Sequence, residues 1–136
     1  MRTIEEILGG RKLNAEEYRV LSDFWAEIRT IRARRDPEPS KNRYLVGLAL
    51  SYRRITQKEI DLETLASVTG LGRSSLQKTL QKMVTKEQVV LERDENDLRR
   101  TLVKPTQEYT DLSIDMYEET RDLILEVARQ LQKAKG

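Results

Sequence analysis

The sequence predicts a mainly helical α+β fold, and three observations lead there. Apolar residues recur at helical spacing over 14–34, 41–55, 73–86 and 106–134. The period shortens to alternate residues only in Val89–Arg93 and Arg100–Lys104. Ahead of those two strands lie a short helix, a glycine-containing turn and a second helix. A chain of 136 residues is long enough for one domain with its own core and too short for two ordinary ones, so a single domain over 1–136 is expected. With 38% hydrophobic and 35% charged residues, it suits a helical protein with a large solvated surface or a core completed by a partner chain.

Each element has a local cause. Asn14 is a suitable N-cap for the 14–34 helix, with Glu16 and Glu17 in the first turn and Arg32, Arg34 and Arg35 in the last. Tyr18, Leu21, Trp25 and Ile28 form one apolar stripe on it, and Val20, Phe24 and Ile31 a second, so it packs on two sides. Asp36-Pro-Glu-Pro-Ser40 breaks it. Ser40 can cap a helix over 41–55 that buries Tyr44, Leu45, Leu48, Ala49, Tyr52 and Ile55. Asp61 can cap a short helix with Leu62, Leu65, Ala66 and Val68 inward, and Gly70 supplies the left-handed residue that ends it. The helix over 73–86 turns Leu76, Leu80, Met83 and Val84 inward. Between the strands, Asp94–Arg99 reads as a polar connection longer than a tight turn. Pro105 stops the second strand, and Thr106 can cap a helix over 106–134 striped by Tyr109, Leu112, Met116, Leu123, Val127 and Leu131.

Composition excludes several functions. There is no cysteine and no histidine. Disulfides, thiol sensing and thiolate metal sites are therefore out, and the commonest metal ligand and general base are missing. No metal, no cofactor and no enzymatic activity are expected. The longest apolar run, Tyr44–Leu50, has seven residues, against the roughly 20 of a membrane span. Met1–Glu6 lacks an apolar signal core, so the expected location is cytoplasmic with no membrane partner. Net charge is only +2. Residues 72–104 nevertheless carry eight basic side chains (Arg73, Lys78, Lys82, Lys86, Arg93, Arg99, Arg100, Lys104) and five acidic, whereas 105–136 carry four basic and seven acidic. A basic middle beside an acidic tail suits a localised polyanion-binding element.

Short helix, tight turn, second helix and charged hairpin together make a helix-turn-helix followed by a two-stranded wing, a winged helix. A helix fits the DNA major groove, and its first turns reach base edges. Arg73 can read guanine and Gln77 adenine, while Ser74 and Ser75 can bond bases or phosphate. Lys78 and Lys82 sit nearer the backbone. The wing can deliver Arg99 to the adjacent minor groove. The bland alternative for the second helix is an ordinary solvated surface.

Leu62 to Thr106 resembles the core of the MarR (multiple antibiotic resistance regulator) family without insertion or deletion. Leu65-Ala66 matches the positioning helix, and Gly70-Leu-Gly-Arg-Ser-Ser-Leu76 the turn and start of the recognition helix. Asp97-Leu98-Arg99 matches the wing's Asp-x-Arg, and Leu102-Val-Lys-Pro-Thr106 the last strand and the opening of the final helix. The resemblance implies that Asp97 shapes the wing and that Arg99 enters the minor groove. Three positions depart from the pattern. Glu87 stands where glycine usually ends the recognition helix, Leu98 where a second wing arginine is common (Arg100 can compensate), and Tyr109 where glycine is common.

The resemblance further implies a homodimer built on the first and last helices, 14–34 and 106–134, and a pseudo-palindromic double-stranded DNA operator. It also implies a small organic effector, often aromatic. Tyr18, Trp25, Tyr44 and Tyr52 can line such a site, or be plain core. The competing reading is a winged-helix module that docks protein without regulating DNA.

Overall fold

Every helix but one starts on a short polar side chain whose oxygen accepts a backbone N–H in the first turn, a bond that satisfies one of the orphan donors of a helix start. In the computed structural model, which describes residues 1–135, these starts set the element order. Thr3 opens α1 (Ile4–Leu8), Asn14 opens α2 (Ala15–Arg35) and Ser40 opens α3 (Lys41–Thr56). Strand β1 (Ile60–Asp61) leads into α4 (Leu62–Thr69), which Asp61 caps. Helix α5 (Arg73–Thr85) follows Gly72, the one start without a side-chain cap. Strands β2 (Val89–Asp94) and β3 (Asp97–Pro105) precede α6 (Gln107–Ala134), opened by the Thr106 hydroxyl 3.2 Å from the Tyr109 amide. At Asn14 the cap is reciprocal, because the Glu17 carboxylate accepts from the Asn14 amide in return.

The chain forms two compact units, Glu38–Ser113 and Met1–Pro37 together with α6 from Ile114 onward. In the second of these, the Asn14 side-chain amide also donates to the Ala134 carbonyl at 3.0 Å. Arg34 and Arg35, at the other end of α2, both pair with Glu119 of α6. The two helices therefore run antiparallel, tied at both ends. Val20, Ile31 and Val127 are the buried apolar residues here.

The Glu38–Ser113 unit has the larger core. Val46 and Leu50 of α3, Ile60, Leu65 of α4, Leu76, Leu80 and Met83 of α5, Val89 and Val103 form one buried cluster. α3 comes close at Gly47, where a Cβ would stand 2.9 Å from the Tyr109 hydroxyl, so the tyrosine at the foot of α6 fills the space a side chain would take. The sheet is antiparallel in the order β1-β3-β2.

Several expectations need correction. Strand β1 and helix α1 have no counterpart in the sequence reading. Pairing of Ile60 with Val103 and Asp61 with Leu102 makes the sheet three-stranded. The hairpin turns on Glu95-Asn96 alone, not on a connection through Arg99. Leu98, Arg99 and Arg100 still lie in β3 but face no residue of β2, because pairing jumps from Arg93–Thr101 to Asp94–Asp97. On α3, the buried side is Val46 and Leu50, whereas Tyr44, Leu48, Tyr52 and Ile55 are exposed. The helix is apolar on two sides, and the side carrying small residues is the one that packs. Val68, Val84 and Leu112 are also exposed, each lying at the edge of its helix's buried stripe.

The end of α5 shows how the chain does without a glycine. Glu87 takes the left-handed conformation at φ 58°, its amide donates to Val84 O at 3.0 Å, and the Gln88 amide donates to Met83 O at 2.8 Å. That is the bonding of a Schellman cap, built on a residue with a Cβ. Left-handed backbone costs a non-glycine residue on the order of 1 kcal/mol, partly offset in glycine by its freer unfolded chain. Glu87→Gly should therefore stabilise the protein by about 0.5 kcal/mol. Urea unfolding should show a higher midpoint at unchanged slope; an unchanged or lower midpoint would refute this account of the cap.

Candidate nucleic-acid interface

The turn between α4 and α5 is set by two residues. Gly70 sits at φ 71°, the conformation that costs glycine least. The Thr69 hydroxyl donates to Leu65 O at 2.7 Å and accepts from the Leu71 amide at 3.3 Å. The chain thereby enters α5 at Gly72 with no side-chain cap, leaving first-turn amides open to an anion.

Burial then decides the outward face of α5. Leu76, Thr79, Leu80 and Met83 point in, so Arg73, Ser74, Ser75, Gln77, Lys78, Gln81 and Lys82 all point to solvent. Among the described residues, no ion-pair partner meets Arg73, Lys78 or Lys82. The wing differs. Lys104 pairs with Glu92 and Glu59, Lys86 with Glu38, and the Arg93 guanidinium donates to Leu98 O at 2.7 Å across the bulge.

At the wing tip, Asp97 accepts from both the amide and the Nε of Arg99, at 3.1 and 3.2 Å. These bonds hold the Asp97 carboxyl below its ordinary range, and they orient an arginine whose side chain is 92% exposed. Leu98 beside it is exposed, which gives the tip an apolar residue. Arg100 points the other way. Its Nε donates to Asp61 and its Nη1 to Asp94, both at 2.8 Å. Between the wing, the start of α4 and the first turn of α5 lies a cavity of about 770 Å³. Leu62, Ala66 and Leu76 line its apolar part, and Asp61, Glu63, Arg73, Gln77, Arg99 and Arg100 its polar part.

The structure thus brings Arg73, Gln77, Asp97, Arg99 and Arg100 to one groove, with Ser74, Ser75, Lys78 and Lys82 along the same helix. The four aromatic candidates do not line it. Tyr18 and Trp25 belong to α2, Tyr44 and Tyr52 to α3, and all four are exposed. Glu63 and Asp94 entered no sequence-based site. Asp61 was legible only as a helix cap, since its second partner lies 39 residues away. Among the described residues, no cluster of acidic side chains is arranged to hold a metal ion, and no helix is long and apolar enough to cross a membrane.

No protein-family model matches the sequence, and no curated protein does so at a significant level. Solved structures do match. RV1404 from Mycobacterium tuberculosis is 22% identical with a TM-score of 0.66, the match covering 82% of this chain and 71% of that one. A mutant of MarR from E. coli is 18% identical at a TM-score of 0.58, covering 95% and 85%. BpsR of Bordetella bronchiseptica, whose DNA binding is regulated by 6-hydroxynicotinic acid, is 15% identical at 0.52, covering 93% and 83%. These likenesses show the fold, a winged helix of the kind that MarR has.

The groove also carries a pH signature. The Asp61 carboxyl lies below its ordinary value near 3.8, through the Thr64 amide first and the Arg100 guanidinium after it, against an opposing effect of partial burial. The unfolded chain therefore takes up this proton more readily than the folded one. The stabilisation is complete above about pH 4 and is lost as the pH falls through the lower, folded value. Asn in place of Asp61 keeps an oxygen for the cap and has no proton to gain. Between about pH 5 and pH 2.5, the melting temperature of Asp61→Asn should fall less than that of the parent. Equal falls would show that Asp61 does not contribute to the acid limb.

Proposed function

We propose that this chain is a sequence-specific DNA-binding transcription regulator of the MarR family, acting as a cytoplasmic homodimer and without enzymatic activity. The observation that carries the reading is where positive charge stays unspent. Across 60–104 the other cations, Lys86, Arg93, Arg99, Arg100 and Lys104, are each matched to an acid or a carbonyl, whereas α5 presents Arg73, Lys78 and Lys82 to solvent without partners among the described residues. A polyanion supplies what that face lacks, and phosphate contacts dominate protein–DNA affinity. Arg73 and Gln77 project from the first turns, where base edges are read, with Ser74 and Ser75 beside the uncapped amides. Arg99 serves the minor groove from the wing.

A partner chain is supported by the apolar surface of α6. Leu123 and Val127 are turned into the chain's own packing, but Ile114, Tyr117, Ile124 and Leu125 are exposed together with Trp25 of α2. A symmetric dimer would set two α5 helices about 34–36 Å apart on a pseudo-palindromic operator. An aromatic acid of the hydroxynicotinate kind is the effector class the likeness to BpsR favours.

Competition titrations against a selected and a scrambled duplex, at several salt concentrations, test the reading. Arg73→Ala should cost about 1–3 kcal/mol per half-site and relax preference at one base pair. Arg99→Ala should weaken binding chiefly through A·T-rich flanks. Lys82→Ala should weaken both duplexes alike and flatten the salt slope by about one per half-site. If all three stayed within about twofold of the parent, α5 would not be the reading head and a protein-docking module would replace this reading.

For assembly, light scattering should give about twice 15.9 kDa. The pair Ile124→Glu with Leu125→Glu should shift it to the monomer, whereas a monomeric parent would remove the dimer from the proposal.

A further inference from the structure

Resting on the DNA-binding reading, we infer that Arg100 is a positioning residue: with Asp61 and Asp94 it clasps the wing to the recognition lobe, and it does not itself contact DNA. Three features of the wing lead there. Leu98, Arg99 and Arg100 face no residue of β2, so the ladder that holds a hairpin in place is missing where the DNA-facing arginine sits. Arg100 replaces it. Its Nη1 donates to Asp94 on the neighbouring strand, and its Nε donates to Asp61 at the start of α4, each at 2.8 Å.

Each carboxylate is in turn fixed by its other oxygen. Asp61 accepts from the Thr64 amide at 2.7 Å, and Asp94 accepts from the Asn96 amide in the turn at 2.9 Å. A single guanidinium therefore links the tip of the hairpin, the cap of α4 and, through β1, the rest of the sheet. Its planar fork can meet two carboxylates at fixed angles, which an ammonium cannot do.

Burial fixes the direction in which Arg100 points. The Asp61 and Asp94 side chains are 16% and 12% exposed, against 41% for Arg100. Turning the guanidinium to a phosphate would leave two largely buried carboxylates with no cation, the arrangement that costs most in a protein interior. The clasp also separates two reading elements by a fixed span. Arg73 stands on α5 and Arg99 on the bulge, across one groove, and Arg99 is the covalent neighbour of the clasped residue. Holding Arg100 therefore holds Arg99 in register with α5, so specific binding depends on the clasp more than non-specific binding does.

The two roles predict opposite signs for one substitution. If Arg100 touched DNA, Asp61→Asn would remove a repulsive charge and free the arginine, and affinity would rise. As a clasp, Asp61→Asn keeps the α4 cap and loses the anchor. A duplex recovered by the parent protein from a random pool, and a scrambled version of it, serve as probes, with folding checked by helical circular dichroism. Asp61→Asn and Arg100→Gln should each weaken binding to the selected duplex about tenfold, the worth of roughly one base pair of discrimination, and leave the scrambled duplex within about twofold. The double variant should be no weaker than either single one, because both break the same link. A rise in affinity for Asp61→Asn, or additive losses, would overturn the proposal.

If the parent recovers no sequence from the pool, the DNA-binding reading fails by itself. Amide hydrogen exchange then decides the clasp without DNA. Exchange at Arg99–Thr101 should be at least about tenfold faster in Asp61→Asn, and an unchanged rate would refute it.

Discussion

Leu76, Leu80 and Met83 lie on one side of α5 and are buried against α3, α4 and the sheet. Each fully buried side chain of this size contributes about 1.5–3 kcal/mol, so rotating the helix by even a quarter turn would forfeit most of its packing. Everything the helix shows to solvent follows from that. The side turned away from the buried row carries Lys78 and Lys82, Gln77 flanks it, and Arg73 is exposed in the first turn, where Gly70 and Gly72 end the preceding turn. The core does more than stabilise the lobe: it aims the polar residues. The same packing depends on α3 approaching closely at Gly47, beneath the Tyr109 hydroxyl.

Charge acts through its distribution and pairing, not through its sum. A net charge of +2 is uninformative for a chain with 25 basic and 23 acidic residues. Across 60–104, pairing separates the cations into two classes. Those of the wing and strands are matched by carboxylates or carbonyls, and they shape the hairpin. Those of α5 are exposed and have no partner among the described residues. A stretch that reads as uniformly basic along the sequence is thus divided, in three dimensions, into a braced part and an open part.

What was legible in the sequence was mostly local. Asn14, Ser40, Asp61 and Thr106 each bond an amide three residues on, so cap and helix start could be placed without knowing the fold. Gly70 announced its own conformation. The buried side of α3 was not legible, because that helix offers apolar residues on two sides and only tertiary packing selects Val46 and Leu50 over Tyr52 and Ile55. Strand β1, two residues long, exists through its pairing with Leu102 and Val103 and has no pattern of its own. The outward arc of α5 was read correctly from periodicity. The partners of Arg100 were hidden, since one of them is distant in sequence and the other lies across an irregular turn. Glu87 shows the reverse limit: the glycine expected there is absent, yet the bonds it would allow are made.

The junction at Thr106 has a mechanical meaning. Its hydroxyl bonds the carbonyl of Glu87 at 2.7 Å and caps α6, while its amide donates to the carbonyl of Gln88 at 2.9 Å. The last turn of α5 and the foot of α6 are therefore pinned to the same few peptide groups. Helix α6 runs 28 residues from that point, a rod of roughly 42 Å. Whatever shifts the foot of α6 must therefore strain the end of α5 as well, because one threonine holds both.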